Sequence, residues 1–303
     1  MPTDVPALSV DLPLPADFRA EDILAFHRRD AEEVAERVDG ARIAKGQIWD
    51  GQPALLALAF DDGRMRAALH VDGAPRPDSR DRLTAQVRRM IGLDQPVAEF
   101  AAALANHPAL GPLIARQPGL RVPQTATPFE ALAWAVTGQQ ISVQAAVSVR
   151  RRFIRALGLR HSSGLWCPPG PEQVAAAAPE ALQGAGLSRT KARTLQTVSE
   201  QILGGELPLD QWLSDTQADT IQERLNAVRG IGPWTVSYAL LRGYGWLDGS
   251  LDGDVAVRRN LQTLLGREDK PTQQETRDWL ADFSPWRALV AAHLWAMQSA
   301  AGY

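Results

Sequence analysis

The stretch that decides the reading is Leu225-Asn226-Ala227-Val228-Arg229-Gly230-Ile231-Gly232-Pro233-Trp234-Thr235. Leu225 and Val228 fall on one face of a helix that ends near Gly230. Gly230 and Gly232 permit a tight reversal and a close approach of the backbone to a neighbour. Pro233 fits the first turn of a second helix, where a missing N–H is tolerated. Val236, Ala239 and Leu240 then give that helix an apolar face. The result is a helix–hairpin–helix, and the N–H groups that open its second helix suit a phosphate oxygen. Such a contact positions a duplex without reading its bases and needs no large positive charge. An ordinary α–turn–α with a glycine closing its first helix fits the same residues.

Further along comes Leu251-Asp252-Gly253-Asp254-Val255-Ala256-Val257-Arg258-Arg259. Asp254 directly precedes a helix through Val257 and Leu261 and is placed as its N-cap. A carboxylate there can stabilise positive charge on a sugar as a glycosidic bond lengthens, or orient water; it can also do no more than cap the helix. Asp252 reads as a turn or capping residue. Trp234 and Tyr238 lie one helical turn apart and share a face, and Trp286 and Trp295 follow in the C-terminal helical region. Flat rings suit a base turned out of the duplex, and they equally suit a helical core.

Working outward, the chain has 303 residues, 45% hydrophobic and 22% charged, with a formal charge of −3. That length allows two or three packed domains. The negative balance weighs mildly against nucleic acid, although the footprint depends on local charge and backbone N–H groups. The single cysteine, Cys167, excludes an intrachain disulfide, a thiolate-rich metal site and an iron–sulfur cluster held by four cysteines. His27, His70, His107, His161 and His293 are scattered and form no H-E-x-x-H, so no catalytic cofactor is expected. The opening MPTDVPALSV lacks the basic start of a secretory leader. Apolar runs are broken by charge well short of the ~20 residues of a membrane span. No membrane association and a cytoplasmic location follow as expectations. Lysines occur only at Lys45, Lys191 and Lys270; the other basic residues are arginines, which can grip phosphate in bidentate fashion.

Residues 1–95 read as a mixed α/β unit. Val10, Leu12 and Leu14 alternate with Asp11 and Pro13 as an edge strand. A helical pattern covers 21–38 through Ile23, Phe26, Ala31, Val34 and Val38. Ala54–Phe60 and Met65–Val71 read as a hairpin turning at Asp62-Gly63, followed by a helix over Ser79–Ile91. From about residue 98 helices dominate. Thr127-Pro128-Phe129-Glu130 is a helix start with a capping box. Further helices are expected over Val143–Leu157, Pro171–Ala177, Pro179–Gly184, Thr190–Leu203 and Leu213–Arg229. The division expected is a mixed domain at 1–95, a central helical domain at 96–245 with the hairpin at 219–243, and a C-terminal helical region at 246–303. That last region completes a cleft and packs with helices from 96–125.

The hairpin and the delayed aspartate resemble the helix–hairpin–helix superfamily of base-excision DNA glycosylases, and within it the DNA-3-methyladenine glycosylase II type. Val228–Tyr238, Gly253-Asp254 and Pro285-Trp286-Arg287…His293-Leu294-Trp295 carry the resemblance. It implies an α+β chain in which a TATA-binding-protein-like α/β domain precedes two all-helical domains. It implies Asp254 as the catalytic carboxylate and Trp234, Tyr238 and Trp295 as pocket residues, joined by Leu24 and Arg28 from the N-terminal domain. DNA contacts would come from Gly230, Ile231, Gly232 and Thr235. Gln140, in Gly138-Gln139-Gln140-Ile141-Ser142, stands where relatives place an apolar leucine that fills the gap left by a flipped base. Backbone carbonyls of Asn226, Val228 and Ile231 would hold a structural sodium or potassium ion. Bifunctional relatives have a lysine where this chain has Trp234, and tryptophan cannot form a Schiff base.

The implied function is monofunctional hydrolysis of alkylated purines, such as 3-methyladenine and 7-methylguanine, from double-stranded DNA in base excision repair, with no obligate protein partner. Two other readings fit the same residues. One is a non-enzymatic lesion-recognition DNA-binding protein, and the other is a related glycosylase for oxidised or deaminated bases.

Overall fold

The computed structural model describes residues 8–297; residues 1–7, which form most of the stretch read for a leader, and residues 298–303 lie outside it. The alternating N-terminal segment forms β1 (Leu8–Pro13), and the expected hairpin forms β4 (Gln52–Asp61) and β5 (Arg64–Val71). With β2 (Glu36–Asp39) and β3 (Arg42–Trp49) they make an antiparallel sheet in the order β1-β5-β4-β3-β2. Val10 pairs with Ala67 and Leu12 with Met65. The period of two puts Leu56, Leu58, Met65 and Leu69 on one buried face. Helices α1 (Ala20–His27) and α2 (Ser79–Met90) cover that face with Ile23, Leu83 and Val87.

The helix expected over 21–38 stops at His27. The Asp30 carboxylate accepts from the amides of Glu32 (3.1 Å) and Val34 (3.4 Å), a local turn that competes with helix. Glu33 then adopts φ 50°, and Val38 enters β2 opposite Ile43. Strand β3 gave no clear signal because two of its inward positions are polar: Lys45 and Gln47 are buried beside Ile43 and Trp49.

The helical part runs through α3 (Val97–Leu104), α4 (Leu110–Ala115), α5 (Pro128–Gly138) and α6 (Val143–Leu157). A two-stranded ribbon, β6 (Leu159–Arg160) with β7 (Trp166–Cys167), leads to α7 (Pro171–Ala175), α8 (Pro179–Gly184) and α9 (Arg189–Leu203). The helix expected over Leu213–Arg229 is two, α10 (Trp212–Asp215) and α11 (Ala218–Asn226), because Thr216 and Gln217 are extended. The second hairpin helix, α12 (Pro233–Ala239), continues as a wider π turn over Leu240–Tyr244. The chain then forms α13 (Val255–Leu264), α14 (Gln273–Ala281) and α15 (Arg287–Trp295).

Buried side chains of α5–α12 form one core. Another joins Val97, Phe100, Leu113 and Val122 to Leu251, Leu261, Leu289 and Trp295, so residues either side of the first helical core share a body.

Thr127 caps α5 as expected, its Oγ1 accepting from Glu130 N at 3.2 Å. The box is incomplete, because Glu130 does not return to the Thr127 amide. Its Oε2 accepts from Ala126 N at 3.3 Å, and its Oε1 accepts from Lys45 Nζ at 2.8 Å. Lys45, only 1% exposed, also reaches Glu36 at 2.8 Å. Arg150 of α6 bonds both Glu36 (3.0 Å) and Glu130 (3.1 Å). This buried cluster fastens the sheet to α5 and α6. Burial opposes ionisation of Glu36 and Glu130, but the Arg150 and Lys45 cations outweigh it and hold both carboxyls below their usual range.

His293 is buried in α15, stacked on Phe100 at 5.2 Å with Nδ1 2.8 Å from Gln117 Oε1. Burial, helped by the Arg19 cation, pulls it down to about 3. The unfolded chain takes up this proton near pH ~6.5 and the folded chain does not, so stability falls as pH drops below that point. In urea titrations this side chain should contribute a slope of up to about 1.4 kcal/mol per pH unit between about pH 6 and 4. The slope should flatten in His293→Gln; an unchanged slope would contradict the assignment.

Among the described residues, no helix is long and apolar enough to cross a membrane, and no group of His, Cys, Asp or Glu side chains could hold a metal ion. The Cys167 thiol is buried against Ala54 O at 3.6 Å.

Candidate active site

The two hairpin glycines have separate reasons. Gly230 sits at φ +94°, and a Cβ there would lie 2.1 Å from Thr194 Oγ1 on α9. Gly232 has φ −103°, open to any residue, and a Cβ there would meet nothing within 4 Å. Packing within the chain therefore demands glycine at 230 and not at 232; the bare backbone at 232 faces the open cleft. Gly230→Ala is expected to cost about 1–3 kcal/mol of stability. Gly232→Ala should cost under about 1 kcal/mol, yet weaken duplex binding about tenfold, the loss of roughly one charge-assisted hydrogen bond. Thermal melts and salt-matched DNA titrations separate the two effects. Unchanged DNA affinity in Gly232→Ala would place the duplex elsewhere.

The loop after α5 is tied to this hairpin. Lys191 Nζ donates to the carbonyls of Thr137 and Gln139, both at 2.8 Å, closing the end of α5. Gln139 Nε2 donates to Gly230 O at 3.0 Å and to Thr235 Oγ1 at 2.9 Å. The Thr235 side chain is thus buried and engaged by Gln139, which corrects its expected exposure to DNA. The Ile231 side chain is likewise buried in the helical core. For both residues only the backbone is left for an outside contact. Gln140 is exposed at φ 59°. Beside it, Ile141 is 40% and Val143 is 47% exposed, two aliphatic side chains on the cleft lip that the sequence reading did not single out. Their signal was an apolar pair in a polar loop.

Asp254 caps α13, its Oδ1 accepting from the amides of Ala256 (2.9 Å) and Val257 (3.0 Å). Trp295 Nε1 donates to the same oxygen at 3.3 Å, and Trp234 Nε1 donates to Oδ2 at 3.2 Å. Donors from α12, α13 and α15 therefore fix one carboxylate at a cleft of ≈ 1030 Å³ lined also by Trp134, Gln140 and Tyr238. The Trp234 and Tyr238 rings lie 5.3 Å apart. Asp252 is engaged elsewhere: it accepts from Ser250 at 2.6 Å, Gln273 at 2.9 Å and Arg277 at 2.9 Å. Its burial works against the charge, but these hydrogen bonds prevail and lower its pKa.

Leu24 and Arg28 are not at the cleft. Leu24 is buried in the sheet-domain core. Arg28 is 51% exposed and paired with Glu21 at 3.0 Å. The α1 segment reaches the cleft wall instead through Arg29, just beyond the helix and packed on Phe26. The Arg29 guanidinium lies 4.0 Å from the Phe26 ring centre and 4.7 Å from that of Trp134. Arg242 lies 5.6 Å from the Trp295 ring centre and 5.9 Å from that of Tyr238. Neither arginine, nor Trp134, stands out in the sequence.

Comparison with known proteins follows the same lines. Residues 9–127 match the AlkA N-terminal domain, and residues 133–285 match the HhH-GPD superfamily base excision DNA repair protein family. The chain is 28% identical over 227 residues to DNA-3-methyladenine glycosylase 2 of Escherichia coli (strain K12), covering 71% of this chain and 77% of that protein. It is 26% identical over 219 residues to the DNA-3-methyladenine glycosylase of Bacillus subtilis (strain 168), covering 71% and 72%. In structure it is similar to the 3-methyladenine DNA-glycosylase from Archaeoglobus fulgidus, with a TM-score of 0.79 and 20% identity over 94% of this chain and 97% of that one. With the helix–hairpin–helix and the sheet domain both matched, the chain belongs to the HhH-GPD superfamily of base excision DNA repair proteins.

Proposed function

We propose that this chain is a monofunctional DNA glycosylase that hydrolyses the N-glycosidic bond of alkylated purines in duplex DNA. The observation that carries the reading is the Asp254 carboxylate, held by two indole and two amide N–H groups at the mouth of an aromatic cleft beside the hairpin. The hairpin backbone anchors a phosphate. Gln140, with Ile141 beside it, occupies the space vacated by the extruded nucleotide, and the base enters among Trp234, Tyr238 and Trp295. As the C1′–N9 bond lengthens, the sugar gains positive charge and the fixed carboxylate stabilises it, with no reorganisation at the moment of reaction. Water then adds at C1′. An N3- or N7-alkylated purine already carries positive charge and departs readily, so strong protonation of the leaving base is not needed.

The chain divides, in this reading, into a sheet domain at 1–95, a central helical domain at 96–245 and a C-terminal region at 246–303 that shares a core with helices of 96–125. The sheet domain's order, one strand, a helix, four strands and a helix, supports a TATA-binding-protein-like description. The hairpin carbonyls of Asn226, Val228 and Ile231 would hold a sodium or potassium ion, with the Val228 oxygen also accepting from Ile231 N at 3.1 Å. The neighbouring carbonyls of Arg229 and Gly230 are turned inward, to Thr194 at 3.3 Å and Gln139 at 3.0 Å. Such an ion would supply positive charge toward the phosphate and take no part in bond cleavage.

The test is release of free base from duplexes carrying 3-methyladenine or 7-methylguanine. The abasic strand should stay intact until alkali is added, since Trp234 offers no amine for strand cleavage. Selective lesion binding without release would favour a recognition protein, and strand cleavage without alkali would contradict the monofunctional reading.

A further inference from the structure

Behind the aromatic wall of the cleft lie two guanidinium groups that the mechanism above does not use. Arg242 is 2% exposed; its Nη1 donates to Pro123 O at 2.8 Å, and its Nε is buried without a hydrogen-bond partner. Arg29 Nε donates to Phe26 O at 2.8 Å, and its Nη1 is likewise buried without a partner. Among the described residues no carboxylate lies within ion-pair distance of either arginine. Asp22 lines a small cavity beside Arg242, but it is bonded by Arg19 at 2.7 Å. The Tyr238 hydroxyl lies near enough to both guanidiniums to favour their charged forms. Burial pulls Arg242 down to about 10, which leaves it charged at neutral pH.

Neither guanidinium has an ion-pair partner, although Glu36 acts on Arg29 from farther off, and the positive charge is spread along the wall. Arg29 sits against Trp134, and Arg242 against Tyr238 and Trp295. A guanidinium over an aromatic ring draws on the ring's π density, so the same ring attracts a second cation less well. The rings so covered add less attraction for a cationic base than free rings would. The wall suits the opposite charge. When an uncharged purine nucleoside breaks heterolytically, the C1′–N9 electron pair goes to N9. The base departs as an anion and the sugar is left as a cation. Asp254 faces the sugar charge, and the guanidiniums lie behind rings of the cleft, against Trp134, Tyr238 and Trp295, from where their charge favours a base anion. Water adds at C1′ and its proton passes to the base anion, which closes the balance. A cationic alkylpurine leaves as a neutral base and gains little from the arginines.

We propose that Arg29 and Arg242 are specificity-determining residues that extend the reaction to uncharged purine lesions by stabilising the negative charge on the departing base. This rests on the glycosylase reading. The experiment is single-turnover release of hypoxanthine, an uncharged lesion, and of 7-methylguanine, a cationic one, by the whole protein and by Arg29→Met and Arg242→Met. The wild type should release both, and the ratio of hypoxanthine to 7-methylguanine rates should fall about tenfold in each variant. Loss of folded protein lowers both rates together and leaves the ratio alone. Should Arg242→Met not fold, the ratio in the half-buried Arg29→Met decides.

A ratio within about twofold of wild type in the folded variants overturns the proposal. So does a wild type that releases 7-methylguanine but no hypoxanthine, an outcome that leaves the glycosylase reading standing. Release of neither base overturns that reading and this inference with it.

Discussion

Asp254→Asn should slow single-turnover release of 7-methylguanine by about 10²–10³, the scale set by removing one preorganised electrostatic group from an active site. The substitution is informative because it separates charge from architecture. Asparagine caps helices as well as aspartate does, and its Oδ1 can keep the bonds from Ala256 and Val257 that now hold Asp254. Helix α13 therefore stays in place, and stability should change by no more than about 1 kcal/mol. What disappears is the negative charge. The new amide nitrogen also faces a donor, because both carboxylate oxygens already accept from indole N–H groups. Binding to lesion-bearing duplex should remain within a few-fold, because the hairpin is untouched. Full activity in the variant would reduce Asp254 to a helix cap.

The largest expected loss of stability follows Lys45→Met. Lys45, Arg150, Glu36 and Glu130 form a buried set with two charges of each sign. Removing the lysine leaves two carboxylates to share Arg150 in a site with little water. Breaking such a set by deleting one partner costs about 3–5 kcal/mol. The pH dependence has a definite sign. Both carboxyls are held below their usual range in the folded chain, so their contribution is present above the unfolded value near ~4.5 and is lost as pH falls through the folded values. The gap between wild type and variant should therefore be widest near neutral pH and narrow in acid. Urea unfolding at both pH values checks this. A cost below about 1 kcal/mol at neutral pH would mean that the cluster is solvated and does not clamp the sheet to α5 and α6.

Features set by neighbours in the chain were legible in the sequence. Thr127-Pro128 starts α5, the glycines and Pro233 mark the hairpin, and Asp254 precedes a helix; each depends on backbone needs within a few residues. Features set by docking were not. Which residues of the α1 segment approach the cleft depends on how the sheet domain seats on α5 and α6, so Leu24 and Arg28 were expected where Arg29 stands. Arg242 lies within an apolar helical run, and nothing local says that its charge is buried behind Tyr238 and Trp295. Strand β3 was hidden because Lys45 and Gln47 point inward, their burial made tolerable by partners far away in the chain. That the Thr235 hydroxyl is taken by Gln139 was not legible either, because that partner is remote in sequence.

The proposed hydrolysis requires Asp254 to reach the sugar of an extruded nucleotide. The most direct measurement is a structure of the protein bound to duplex DNA carrying a cationic ring-nitrogen mimic of the sugar transition state. A carboxylate oxygen within about 4 Å of the ring nitrogen, with the hairpin amides on a neighbouring phosphate, is the predicted result. A mimic that stays stacked in the duplex, or that settles away from Asp254, would contradict it.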